Sequence, residues 1–152
     1  METSHVGRVL EDLLETLEDG KKGFTQTAEK LTEANRDDLA GRMREFADQR
    51  SSFGAEIRTL ASQLGIELDE SGSMAGALHR GWISLKDALA SDEPAAVLAA
   101  AETGEDHAKD EFTKALDEDL PGDVRTLIAR QAAAVAAVHD EVKKLRDEEK
   151  SA

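Results

Sequence analysis

The chain has no cysteine, which excludes a disulfide framework, thiolate metal ligation and a cysteine nucleophile. Aromatic residues are scarce, at 3% of 152 residues, so the core has to be assembled from Leu, Val, Ala and a few Phe, a mixture that suits closely packed helices. Two prolines in the whole chain leave room for long uninterrupted helices. Basic residues are also in short supply: 19 Lys and Arg face 33 Asp and Glu, giving a formal charge of −14 and a sequence pI near 4.6. Such a surface repels phosphate backbones and anionic headgroups, so neither nucleic acid nor membrane is an expected partner, whereas cations or basic proteins fit. No stretch approaches the roughly 18 apolar residues of a membrane span, and Met1 to Leu10 lacks the regions of a secretory signal. The expectation is a cytoplasmic protein whose residues 1–152 form one domain with a real core.

What the chain does contain is helix signal from end to end. Val6, Leu10, Leu13, Leu14, Leu17, Phe24 and Leu31 recur at three- and four-residue steps, which predicts an amphipathic helix over about Ser4 to Glu33. Asn35 offers an N-cap for a second helix, with Asp37 and Asp38 in its first turn. That helix carries Leu39, Met43, Phe46, Phe53, Ile57, Leu60 and Leu64 on one face, and Gly65 supplies its stop. The stretch 66–71 reads as a loop. Ser73 then caps a shorter helix through Ala90 bearing Met74, Leu78, Trp82, Leu85 and Leu89. Ser91 starts a third long helix with Pro94 in its first turn, running to about Asp117. Leu120, Pro121 and Gly122 break the chain before a fourth long helix to about Arg146, with a polar tail fraying from about 147.

The turn between the first two helices is short enough to make them antiparallel neighbours. The gap between the second and third long helices, about 26 residues, far exceeds the roughly 2–8 that join antiparallel neighbours. A helix of about 17 residues spans roughly 25 Å, enough to travel back along the bundle. The second and third long helices are therefore expected to run parallel. The fold class that follows is all-α: a ferritin-like four-helix bundle with a short crossover helix over 66–91.

Three polar residues stand on the apolar stripes of three different long helices. Arg50 lies among Met43, Phe46, Phe53 and Ile57; Glu105 among Ala101, Ala108 and Phe112; Gln131 among Leu127, Ile128, Val135 and Val138. An unpaired buried charge is very costly, so Arg50 and Glu105, if both are inside, should meet as a bidentate pair. Gln131 is expected within reach of one of them. On the first helix Gly20 falls on the inner face between Leu17 and Phe24, leaving room for a neighbour's long side chain.

Metal chemistry is the sharper alternative. A ferritin-like di-iron site takes a Glu from each of two helices and a Glu-x-x-His from each of the other two. This chain has no Glu-x-x-His: the residue three before His139 is Ala136, and Gln49, Arg50, Ser51 and Ser52 occupy the corresponding depth of the second helix. Glu18 should face water. An iron or manganese site, if there is one, would have to use Glu105, His139 and Glu102. His79 and His107 fall off the apolar faces, His5 sits at the frayed start of the first helix, and His139 reads as a boundary residue within reach of Glu105 or Glu102. No nucleophile elbow and no phosphate-binding loop occur.

The segment from Leu14 through Glu18, Asp19, Gly20, Lys21, Lys22, Gly23 and Phe24, together with Ser71-Gly72-Ser73 leading into His79-Arg80-Gly81-Trp82, and Gly104-Glu105-Asp106, resembles a bacterial family of ferritin-like four-helix-bundle proteins of unknown function, first catalogued in proteobacteria. The resemblance implies the ferritin-like fold and no established activity, and it suggests a stress role by analogy with other members of that superfamily. The resulting expectation is a non-enzymatic, stress-associated interaction or structural protein, with no catalytic residues and no cofactor, that forms a homodimer. The alternative is an iron- or manganese-binding oxidoreductase with a degenerate site.

Overall fold

In the computed structural model, residues 3–70 and 80–151 are described. They are all-α, in the order α1 (Thr3–Glu33), α2 (Asp37–Gln63), a 3₁₀ turn (Arg80–Trp82), α3 (Ser84–Ala88), α4 (Pro94–Leu116) and α5 (Gly122–Ser151). No helix among the described residues is long and apolar enough to cross a membrane.

The buried residues form two clusters that fix the helix directions. One joins Leu10 and Leu13 early in α1 to Ile57 and Ala61 late in α2, Phe112 and Ala115 late in α4, and Val124 and Ile128 early in α5. The other joins Phe24 and Leu31 late in α1 to Leu39 and Met43 early in α2, Leu98 and Ala101 early in α4, and Val138 and Val142 late in α5. Helices α2 and α4 thus enter at the second cluster and leave at the first, so they run parallel. Helices α1 and α5 run the other way. Ile66 belongs to the first cluster and Trp82 and Leu85 to the second, so the described parts of the connection between α2 and α4 pack at opposite clusters.

Helix ends differ from the sequence reading in ways that local hydrogen bonding explains. Asn35 does not cap α2. It takes a positive φ of 62° and closes α1: Arg36 N donates to Leu31 O at 2.8 Å and Asn35 N to Thr32 O at 3.0 Å, a Schellman arrangement in which asparagine tolerates the left-handed conformation. Gly65, with φ 70°, ends α2 in the same way, through Ile66 N to Ala61 O at 2.8 Å and Gly65 N to Ser62 O at 3.1 Å. Ser91 does not cap the third long helix either. Its hydroxyl accepts from Glu93 N at 3.1 Å, while extended Glu93 occupies the capping position and Pro94 begins the helix.

Two further expectations are corrected. The tail from about 147 is helical to Ser151, and Arg36, just before α2, donates to both oxygens of Glu149. The crossover helix expected from Ser73 to Ala90 lies partly outside the described residues, Ser73, Met74 and Leu78 among them. Within them it is no continuous helix but a 3₁₀ turn followed by the five residues of α3. Gly81, in that turn, lies so close to α4 that a Cβ there would sit 2.5 Å from His107 Cβ and 3.0 Å from Thr103 O.

Candidate functional site: a buried ion pair under a tryptophan

Between the two apolar clusters lies a polar layer. On α2, Arg50 falls between Ala47 of one cluster and Phe53 of the other; on α4, Glu105 falls between Ala101 and Ala108. Their side chains are 0% exposed. Arg50 Nη1 donates to Glu105 Oε2 at 2.7 Å and Nη2 to Oε1 at 2.5 Å, so fork meets fork and both charges are satisfied by one partner. Arg50 Nε donates to Gln49 Oε1 at 3.1 Å, and the guanidinium carbon stands 5.4 Å from the Phe24 ring centroid.

Space for this arginine comes from α1. A Cβ on Gly20 would lie 3.2 Å from Arg50 Nη1 and 3.5 Å from its Cγ, tighter than ordinary packing. One turn along, Gly23 performs the same service for a different side chain. The Trp82 indole, 1% exposed, fills a slot between Gly23 and Gly104: a Cβ on either would come within 2.2 Å of the ring. Trp82 also meets Phe24 edge-on, with centroids 5.1 Å apart at 73°.

Gln131 does not join the ion pair, which corrects the expectation for it. It is fully buried, but its amide nitrogen donates to Phe53 O and to Glu56 Oε1, each at 3.1 Å, reaching across to α2. Register on α5 is the cause. Gln131 lies between Ile128 and Val135, both in the first cluster, whereas the level matching Arg50 falls between Val135 and Val138. Gln131 Oε1 has no partner among the described residues.

The three candidate metal ligands are not brought together. Glu105 is held by Arg50. Glu102 Oε1 accepts from Arg146 Nη1. His139 is 8% exposed, more buried than a boundary position, and touches neither glutamate: its Nε2 lies 2.6 Å from Asp106 Oδ1 and its Nδ1 3.0 Å from Asp140 Oδ1. The hydrogen bond with His139 holds the Asp140 carboxyl below the usual aspartate range. Among the described residues no group of three or more His, Asp or Glu is arranged to hold a metal ion. The donor set therefore does not fit a di-metal centre. Both oxygens of its most buried carboxylate are committed to a guanidinium that cannot be deprotonated.

Sequence reasoning missed Trp82, Gly23 and Gly104 as a structural unit, and it missed Asp106 as the partner of His139. A signal for the first was present, since Gly23 and Gly104 each adjoin an apolar-stripe residue, Phe24 and Glu105, where a helix gains nothing from glycine.

The chain matches the family described as domain of unknown function DUF2383 over residues 5–118. It belongs to that family. The matched span holds Gly20, Gly23, Arg50, Trp82, Gly104 and Glu105, so the whole pair and the tryptophan slot lie inside it; Gln131 and His139 lie outside. No curated protein matches the chain significantly.

Proposed function

We propose that this chain is a ferritin-like bundle in which the Arg50–Glu105 pair stands where that fold holds a di-metal centre, and that it acts as a non-enzymatic interaction or structural protein. The observation that carries this reading is the commitment of both Glu105 oxygens to Arg50 inside a layer with 0% side-chain exposure. The parallel course of α2 and α4, with Ile66 and Trp82 of the connection between them packed at opposite clusters, supports the ferritin-like assignment. The charge of −14 favours basic partners over nucleic acid or membrane. A cytoplasmic setting, a homodimeric assembly and a stress-associated role complete the proposal.

The rival reading, an iron- or manganese-binding oxidoreductase, requires Glu105 to leave Arg50, Glu102 to leave Arg146, and His139 to leave Asp106. Stranding Arg50 in a dry interior makes that rearrangement unfavourable. Elemental analysis of protein purified without added metal separates the two. Far less than one iron or manganese per chain is expected; one or more per chain, retained on dialysis and lost in Glu105→Ala, would overturn the proposal. Loosely held cations removed by dialysis are ordinary for a surface this acidic.

A further inference from the structure

The long helices are not joined equally. Helix α2 lies along α1, α5 lies along α4, and α1 meets α4, whereas α2 and α5 approach each other at few points. Long polar side chains bridge that gap. Arg36, just before α2, donates to both oxygens of Glu149 on α5. Arg42 on α2 donates through Nε at 2.7 Å and through Nη2 at 2.5 Å to Glu141 Oε2, and its guanidinium carbon stands 4.9 Å from the Phe46 ring centroid. Arg130 on α5 donates to Glu56 Oε2 at 2.7 Å. All three ion pairs are partly exposed. Beside the Arg42 bridge the seam holds a groove of about 310 Å³, lined by Phe46, Gln49, Ala134, Ala137 and Val138 among others. Gln49 accepts from Arg50 Nε at 3.1 Å, so the groove reaches the edge of the layer that holds the buried pair.

We propose that the α2–α5 seam is an outer latch that answers to ionic strength, while the Arg50–Glu105 pair is an inner latch that does not. Salt weakens ion pairs that reach water and acts much less on buried ones. Arg50 on α2 and Glu105 on α4 belong to different hairpins, so their bond, at 0% exposure, holds α1–α2 to α4–α5 while the seam outside it loosens. Loosening widens a groove lined by Phe46 and Val138, both buried in the closed seam. Access to that apolar surface then follows the state of three arginines. On the rest of the bundle salt acts with the opposite sign, because screening relieves the mutual repulsion within a chain of charge −14.

Because the chain has no cysteine, one introduced thiol reports one position. Val138→Cys places it in the groove; Val97→Cys places a control on α4, in the same apolar cluster but on neither helix of the seam. Each is labelled with iodoacetamide, which carries no charge, and the rate is divided by that of the urea-unfolded chain at the same salt. Three exposed bridges, each worth a factor of roughly 1.4–5, multiply to about threefold at the least. Raising NaCl from about 20 mM to about 500 mM should therefore speed labelling of Val138→Cys by about threefold or more, and should not speed that of Val97→Cys. Adding Arg42→Gln and Arg130→Gln should leave the groove thiol readily labelled at low salt and remove most of the salt response. If Val138→Cys does not fold, Ala134→Cys in the groove wall takes its place, as Ala101→Cys does for Val97→Cys. A rise below about threefold in the groove, an equal rise at the control, or an undiminished response without the two arginines overturns the latch.

Discussion

Removing one member of the interior pair should cost far more than removing both. Glu105→Leu leaves the Arg50 guanidinium with its only anionic hydrogen-bond partner among the described residues gone, in a site where neither side chain has any exposure. Stranding a buried charge in this way costs about 3–5 kcal/mol, a fifth or more of a typical domain's stability of about 5–15 kcal/mol. With a urea dependence of about 2 kcal/mol/M the unfolding midpoint should fall by about 2 M. Arg50→Met strands the carboxylate instead, and the two variants then differ in a useful way. A carboxylate in a dry site can take up a proton and shed its charge, so Arg50→Met should recover stability as the pH is lowered. Glu105→Leu should not, because a guanidinium keeps its proton.

The paired replacement, Arg50→Met with Glu105→Leu, removes both desolvation penalties and keeps comparable volume beside Gly20. It should cost less than either single change, and replacements of this kind sometimes stabilise by about 1–4 kcal/mol. Urea unfolding of the four proteins, followed by circular dichroism, completes the cycle. Single changes costing no more than about 0–1 kcal/mol, as for exposed pairs, would show that both side chains reach water in solution and would refute the reasoning.

Gly104→Ala and Gly23→Ala should each destabilise by about 1–3 kcal/mol through overpacking against Trp82, despite the better helix propensity of alanine; Gly41→Ala, where a Cβ meets nothing within 4 Å, should stabilise by about 0.5–1 kcal/mol. The same sign for all three in thermal melts would refute the slot. Asp140 is held below its ordinary value of 3.8, chiefly by the hydrogen bond with His139. A carboxyl depressed on folding stabilises above its unfolded value and loses that contribution as pH falls through its folded value, so Asp140→Asn should flatten the acid limb of stability below about pH 4; an unchanged limb would count against the contact. Arg36→Ala should release Glu149 and speed amide exchange over residues 147–151, and unchanged exchange there would show that the last turn of α5 holds without that bond.

Helical periodicity made the fold legible because each apolar stripe is a property of one helix, readable without its neighbours. Arg50 and Glu105 stood out for the same reason, and pairing followed from the cost of burying either alone. Connection length then indicated a parallel α2 and α4, since a gap of that size needs a return along the bundle. Register between helices is a different kind of information. Gln131 lies on its stripe as expected, yet one turn from the level of Arg50, and no feature of α5 by itself reveals that offset. One of its two acceptors is instead a backbone carbonyl, Phe53 O, a group every sequence contains and no pattern marks. His139 turns to Asp106 rather than to Glu102 or Glu105 because the two glutamates are already taken by arginines from α5 and α2, a competition visible only when all the helices are in place. The glycines show the limit most sharply. A glycine on an apolar stripe announces that something must come close, but not what, and Gly20 and Gly23 are three residues apart on one helix while admitting an arginine from α2 and a tryptophan from the crossover. The sequence marks the vacancy; the occupant is chosen by elements far along the chain, which is why the tryptophan slot became apparent only with the packed structure.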